Sequence, residues 1–300
     1  MNAPFLSVHP QVQEALNAGQ PVVALESTLI AHGLPSPHNL HVARRMEHTV
    51  REAGATPATI ALVDGTVRVG LTDDELTRLA HEPAVKVSLH TLAITLAQGH
   101  LGATTVAATA WAAAQAGIHV FATGGIGGVH PGEAWDISAD LPALATFPVA
   151  VVCSGPKAIL HLERTRQWLE TWGVPVLGYR TDTLPAFFSR TSGLPVDARV
   201  DSPEEAAAVV RTHLALGRGG VLVAVPVPAD DEVPADQVND WLVEAERRAA
   251  VQGVTGPALT PFLLETLTRL SGGAPLRANV ALLINNAFVA AQLAGALRHA

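Results

Sequence analysis

Lysine is almost missing from this chain. Of the nineteen lysine and arginine side chains in 300 residues, two are lysine, Lys86 and Lys157. Arginine therefore carries nearly all the positive charge, and the two lysines become candidates for work a guanidinium cannot do. A desolvated amine can lose its proton and act as a nucleophile, whereas a guanidinium stays charged. Cysteine is scarcer still. Cys153 is the only one, so no internal disulfide can form, and a reduced, cytoplasmic setting is expected. It lies in an apolar run with no cationic neighbour in sequence, which suits a core position better than a catalytic thiol. Charged residues make up 15% and the net charge is -8, which excludes a general nucleic-acid binder while leaving room for a local basic pocket. Met-Asn-Ala-Pro-Phe-Leu-Ser lacks a basic region followed by an apolar stretch, so no signal peptide is expected. The most apolar segment, Ala103 to Gly117, is too short to cross a bilayer.

What is present is a large apolar fraction, 48%, enough for a sizeable core and against disorder. Short apolar runs alternate with helical patterns. Strands are expected at Pro21–Glu26, Thr59–Val63, Thr66–Val69, Val85–Ser88, Ile118–Ala122, Val149–Cys153, Val174–Tyr179 and Gly220–Val225. Asp64-Gly65 between two of them is a type I′ turn signal. Helices are expected at Asn39–Glu52, Ala107–Ala116, Ile159–Trp172, Ala235–Gln252, Pro261–Leu270 and Leu276–Arg298. Further helices open at the capping boxes Thr72–Glu75 and Ser202–Glu205, the second with proline at its first helical position. This alternation predicts an α/β fold: a mainly parallel sheet covered on both faces, ending in helices, as one domain over residues 1–300. Low charge and high alanine content add the expectation of an oligomer.

In such sheets ligands gather at the carboxyl ends of the strands. Glu26 closes one strand with apolar neighbours, a setting that raises a carboxyl pKa and suits proton donation; a helix cap or a satisfied buried acid is the plainer reading. Thr123-Gly124-Gly125-Ile126-Gly127-Gly128-Val129-His130 follows another strand. Its glycines let backbone N–H groups approach an anion, or simply make a turn. It is neither a dinucleotide fingerprint nor a Walker loop. His130 could be a base or a loop histidine. Asp136, Ser138 and Asp140 alternate as oxygen donors suited to Mg²⁺ or Mn²⁺, or make a helix start. Asn285 and Asn286 interrupt an apolar helix and must be hydrogen-bonded, either to a ligand or to neighbouring backbone. The composition points to an enzyme for a small anionic carbonyl or sugar substrate with a nucleophilic lysine.

Six segments together resemble the pseudouridine-5′-phosphate glycosidase family. They are Ala24–Gly33, Gly102–Thr109, Phe121–His130, Asp136–Leu141, Val151–Leu160 and Thr260–Leu264, in order along nearly the whole chain. The resemblance implies an α/β/α sandwich, a homotrimer, and reversible cleavage of pseudouridine 5′-phosphate to uracil and ribose 5-phosphate. It assigns Lys157 as the nucleophile that forms an imine with the sugar, Glu26 as proton donor and Asp136 as the ligand of Mn²⁺. Substrate contacts are expected from Lys86, Val106, Ser138, Ala139 and Asp140, with Thr123, His130 and Asn286 as further candidates. Because the bond joins C1′ to a carbon of uracil, the two-carboxylate glycosidase scheme fits poorly. An amine captured by the opened sugar solves that problem. The loop Pro131-Gly132-Glu133-Ala134-Trp135 departs from the family in being shorter and in carrying Pro131 where an arginine is expected. Two other readings stand beside this one: a class I aldolase-like lyase for another sugar phosphate, and a nucleotide-binding protein without catalysis.

Overall fold

The computed structural model describes residues 5–132, 135–254 and 259–298. Eleven strands form one mixed sheet. They are β1 (Leu6–Val8), β2 (Val22–Leu25), β3 (Thr56–Val63), β4 (Thr66–Val69), β5 (Val85–Val87), β6 (Gly102–Thr104), β7 (Val120–Ala122), β8 (Ala150–Cys153), β9 (Val176–Tyr179), β10 (Ala198–Val200) and β11 (Val221–Ala224). The helices are α1 (Pro10–Asn17), α2 (His38–Glu52), α3 (Asp73–His81), α4 (Leu89–Ala97), α5 (Val106–Ala116), α6 (Asp140–Thr146), α7 (Leu162–Thr171), α8 (Pro203–Ala215), α9 (Ala235–Val251), α10 (Leu259–Leu270) and α11 (Ala274–Arg298).

The main path runs β1-β4-β3-β2-β7-β8-β11-β9-β10. All its pairings are parallel except β3 with β4, a hairpin closed by Asp64 (φ 49°) and Gly65 (φ 74°), as the turn signal predicts. β2, β8, β9 and β11 are four-residue apolar strands buried throughout, the pattern of strands covered on both faces. Two apolar clusters fill the layers on either side. One gathers α2, α8 and α11, with Met46, Val210 and Leu282 fully covered. The other gathers α1, α5 and α7, with Phe121, Ile118 and Leu169.

One branch leaves this path and shapes the site. β2 pairs with the first half of β3, Thr56 to Thr59, and then ends. β6 takes over the vacated edge of β3 at Ala61 and Leu62, running antiparallel, and β5 pairs with β6. β5 and β6 therefore stand over the carboxyl end of β2. The approach is close: a Cβ on Gly102 would lie 2.6 Å from Val87 and 3.1 Å from Leu62.

α11 is 25 residues long, and its most apolar 18-residue stretch has a mean hydropathy of 1.7, apolar enough by length and composition to span a bilayer. Its side chains Ala278, Leu282, Leu283, Asn286, Ala287 and Ala290 are instead buried against α2, α8 and the sheet, so it serves as a core helix.

Candidate active site

The central feature is a pair of loops that continue the sheet beyond its strands. After β7 and β8 end, their backbones stay in parallel register. Thr123 N–H donates to Val152 O (3.0 Å), Ser154 N–H to Gly124 O (2.8 Å), Ile126 N–H to Gly155 O (3.1 Å), Lys157 N–H to Ile126 O (3.0 Å), and His161 N–H to Val129 O (2.9 Å). Glycine is required where a third loop crosses. Gly155 sits at φ 83°, and a Cβ there would lie 2.3 Å from Pro185 O; one on Gly125 would lie 2.7 Å from the Phe187 ring. The lacing fixes the backbone of Lys157, whose side chain is half-buried.

Glu26 arrives from the other side of β7. It follows β2, and its carboxylate accepts a hydrogen bond from the Thr123 hydroxyl, the first residue after β7. Strand order β2-β7-β8 thus brings Glu26, Thr123 and Lys157 to one edge. The branch supplies the third wall. Ser27 Oγ donates to Ile60 O (2.6 Å) and accepts from Thr104 N–H (2.9 Å), while Thr104 Oγ1 also reaches Ile60 O (2.7 Å). This buried hydroxyl network pins β6 over the end of β2, and Lys86 on β5 comes with it.

The four ionisable groups Glu26, Lys86, Lys157 and Asp140 share one electrostatic field. Burial pushes the Glu26 carboxyl above its ordinary value. The Lys157 charge, the Thr123 hydrogen bond and Lys86 pull the other way, and burial wins. Lys86 has an accessible outer surface, yet burial of its ammonium pushes it below the usual lysine value, and the Lys157 charge adds to that. Asp140 is buried. Its Oδ1 accepts from Ala107 N–H at the start of α5 (2.9 Å) and its Oδ2 from Gly127 N–H in the glycine loop (2.7 Å). Gly127 has no room for a side chain, since a Cβ would lie 2.2 Å from Ser138 Oγ and 2.7 Å from Asp140 Oδ2. A buried carboxyl held above its ordinary pKa, two amines and an anchored carboxylate meet at the carboxyl ends of parallel strands. Such a set can exchange protons and attack an electrophilic carbon.

Comparison with known proteins agrees. Residues 11–296 match the family described as Indigoidine synthase A like protein. The chain belongs to this family. A relative from Rhodospirillum centenum is 58% identical over 97% of this chain and 92% of its own length, and one from Symbiobacterium thermophilum is 52% identical over 98% of each. Both are named pseudouridine-5′-phosphate glycosidase. Among solved structures, the prealnumycin C-glycosynthase AlnA in complex with ribulose 5-phosphate superposes with a TM-score of 0.92 at 40% identity, covering 99% of this chain and 98% of that one. An indigoidine synthase A-like protein from Thermotoga maritima gives a TM-score of 0.90 at 35% identity, covering 98% and 97%. The α/β sandwich expected from the sequence is the family's fold.

Within this family member, the residues singled out from sequence divide into four groups. Glu26, Lys86, Asp140 and Lys157 converge, as above. Ser138, Ala139 and Val106 border them. Ser138 Oγ accepts from Asp140 N–H (3.2 Å), Ala139 precedes α6, and the Val106 side chain is buried in the core, so any contact from Val106 to a ligand is made by backbone. Thr123 and Asn286 form a third group, which braces the site. The Thr123 hydroxyl is taken by Glu26. The fully buried Asn286 amide donates to Thr123 O (2.9 Å), Gly124 O (3.4 Å) and Ser154 Oγ (3.1 Å), so it clamps α11 to both loops. Asp136 and His130 form a fourth group, in a small hairpin where Val129 bridges Ile137 and His130 N–H donates to Asp136 O (2.9 Å). The Asp136 side chain is exposed, and no cluster of three His, Cys, Asp or Glu suited to a metal occurs among the described residues. Glu133 and Ala134 of the shortened loop lie outside those residues. Cys153 is buried, its thiol pushed up to about 12 by burial, which leaves it inert.

Four contributors were not singled out from sequence. Ser27 and Thr104 sit inside quoted motifs but bond residues far along the chain. His32 ends a π-helical turn, Leu29–Gly33, and contacts the Ala84 carbonyl; burial and then the Lys86 charge hold its pKa below the usual histidine value. A π-helical turn leaves no periodic trace in sequence. Phe187, at φ 62°, packs on Gly125 and donates its N–H to Ser154 O (3.0 Å).

Proposed function

We propose that this chain cleaves the C1′–C5 bond of pseudouridine 5′-phosphate reversibly, giving uracil and ribose 5-phosphate. The observation that carries the proposal is the meeting of a half-buried lysine, a buried carboxyl held above its usual pKa and a second, cationic lysine, in a chain more than half identical to proteins named for this activity. The pentose phosphate named in the AlnA complex adds support for a phosphorylated five-carbon sugar here.

In this reading the Lys157 amine bonds to C1′ as the ribose ring opens, and its proton passes to the departing ring oxygen. Glu26 then gives its proton to C5 of uracil. The C1′–C5 electron pair returns to the uracil ring, and the nitrogen lone pair closes a C1′=N iminium on Lys157. Water adds to C1′ and loses a proton to the Glu26 carboxylate, and ribose 5-phosphate leaves the amine. Acid–base steps of this kind contribute about 10²–10⁴-fold each. Lys86 and the glycine loop neutralise the phosphate. Asp140 holds the loop and the start of α5 at fixed spacing.

Mn²⁺ belongs to the proposal at Asp136. One exposed carboxylate beside serine oxygen fits a hard cation that keeps most of its waters, and does not fit a closed protein cage. Such an ion would supply positive charge near the sugar phosphate. A homotrimer in the cytoplasm completes the reading.

The test is incubation of the purified chain with pseudouridine 5′-phosphate and Mn²⁺, following the uracil chromophore. Turnover is expected from the wild-type chain and none from Lys157→Ala or Lys157→Arg. A chain that releases no uracil under any metal condition refutes the proposal.

A further inference from the structure

A cavity of about 230 Å³ lies outside the cluster just described, past the ends of β9 and β11 and beside α11. Its polar lining is Tyr179, Arg180, Arg190, Asn285 and Gln292, with Phe288 among the apolar side chains, and no acidic residue lines it. In a chain of net charge -8 that is an unusual concentration of cations. Both arginines are braced. The Arg180 guanidinium lies 5.1 Å from the centre of the Tyr179 ring, and its Nε donates to Asp201 O (3.1 Å). Arg190 Nη1 donates to Val227 O (2.6 Å). Neither guanidinium forms an ion pair among the described residues, so each keeps terminal N–H groups for another acceptor. The Glu232 carboxylate stands beside Arg190, where its Oε1 accepts from the Arg190 backbone N–H (2.9 Å). Glu204 also reaches the Tyr179 phenol electrostatically, from outside the lining.

Backbone strain marks the same spot. Arg180 has φ 57°, the left-handed region that a long side chain rarely adopts unless its surroundings hold it there. Strain of this kind, braced by stacking and a hydrogen bond, aims a side chain. Size selects the ligand class. Small-molecule sites run from about 300 Å³ upward, so this cavity is too small for a nucleotide and suits a tetrahedral oxyanion or a short phosphomonoester. Paired guanidinium forks bind such oxygens by charge-assisted hydrogen bonds.

We infer that this cavity is a second oxyanion site, taking phosphate or a small phosphomonoester on Arg180 and Arg190, separate from the Lys86–Lys157 cluster. It stands independently of the proposed reaction, because it is read by binding and not by turnover.

The experiment is calorimetric titration of a Lys86→Ala chain that also carries Lys157→Ala, and so lacks both lysines of the first site, with inorganic phosphate, ribose 5-phosphate and neutral ribose as probes. One saturable site per chain is expected for a phosphorylated probe, with no heat from ribose. Arg180→Gln added to this double variant is expected to weaken that site at least tenfold, with an unchanged far-ultraviolet circular dichroism spectrum. Tighter binding of orthophosphate than of ribose 5-phosphate identifies the free ion as the ligand, and the reverse order a phosphosugar. Absence of any such site in the double variant, or equal affinity with and without Arg180, overturns the inference.

Discussion

Glu26 shows how a single residue trades stability for chemistry. Its carboxyl is buried and its pKa is raised above 4.5 by burial. The folded state therefore prefers the protonated form. The penalty of ionising it is absent below the unfolded value near 4.5 and grows as pH rises toward the folded value. Glu26→Gln removes the ionisable group while keeping a hydrogen-bonding side chain. It is expected to raise stability at pH 8 by about 1 kcal/mol or more, and to do little at pH 4, when thermal unfolding is followed at both. The same substitution is expected to lower turnover at least a hundredfold, the size of a lost general acid. In the wild-type chain, activity limited by this proton falls on the alkaline side of the Glu26 pKa. Greater stability of Glu26→Gln at pH 4 than at pH 8 would contradict this account.

Among the elements, the laced loops after β7 and β8 depend on α11. Asn286 satisfies Thr123 O and Ser154 Oγ with one amide, and both partners are buried. Asn286→Ala leaves these groups unpaired and is expected to cost about 2–6 kcal/mol by urea unfolding, counting about 1–3 for each orphaned group. Turnover should fall as well, because Thr123 holds Glu26. A cost under 0.5 kcal/mol would show that α11 does not brace the loops. Gly127→Ala tests the other anchor: a methyl group 2.7 Å from Asp140 Oδ2 must displace that carboxylate or the loop, so lost activity with a modest drop in thermal stability is expected. Sequence reading went unevenly at this scale. The four-residue apolar strands and the Asp64-Gly65 hairpin were legible because burial on both faces and positive φ leave direct marks. The branch strand β6 was not, since Gly-Ala-Thr is too short and too small to show a strand pattern, though it places Lys86. β1, β10, α1 and α4 were missed as well, and α6 was read only as the alternative helix start at Asp136–Asp140. In α4 the residue Ile94 is 56% exposed, so its apolar side chains follow no one buried face. The Ser202 signal was half right. Ser202 caps Glu205 N–H, but the Glu205 carboxylate accepts from Asp201 N–H instead of closing a box. Asp140 and Asn286 were legible as polar residues needing partners, but their partners lie far off in sequence, as with Ser154, 132 residues from Asn286.

The whole molecule leaves large apolar side chains in water. Trp135 is 94% exposed, and Trp172, stacked on Trp168 with ring centres 5.2 Å apart, is 57% exposed. Surfaces of this kind are commonly covered in an assembly. Light scattering on the eluted protein is expected to give about 94 kDa, three copies of the 31.2 kDa chain, and a 31.2 kDa species would contradict the trimer. The reaction itself rests on one covalent bond. Borohydride reduction in the presence of ribose 5-phosphate, followed by peptide mass mapping, tests it most directly. The account predicts one reduced pentose phosphate per chain, attached at Lys157 and missing from Lys157→Ala. A turning-over enzyme that traps no sugar, or traps it at Lys86 with Lys157 unmodified, would contradict it.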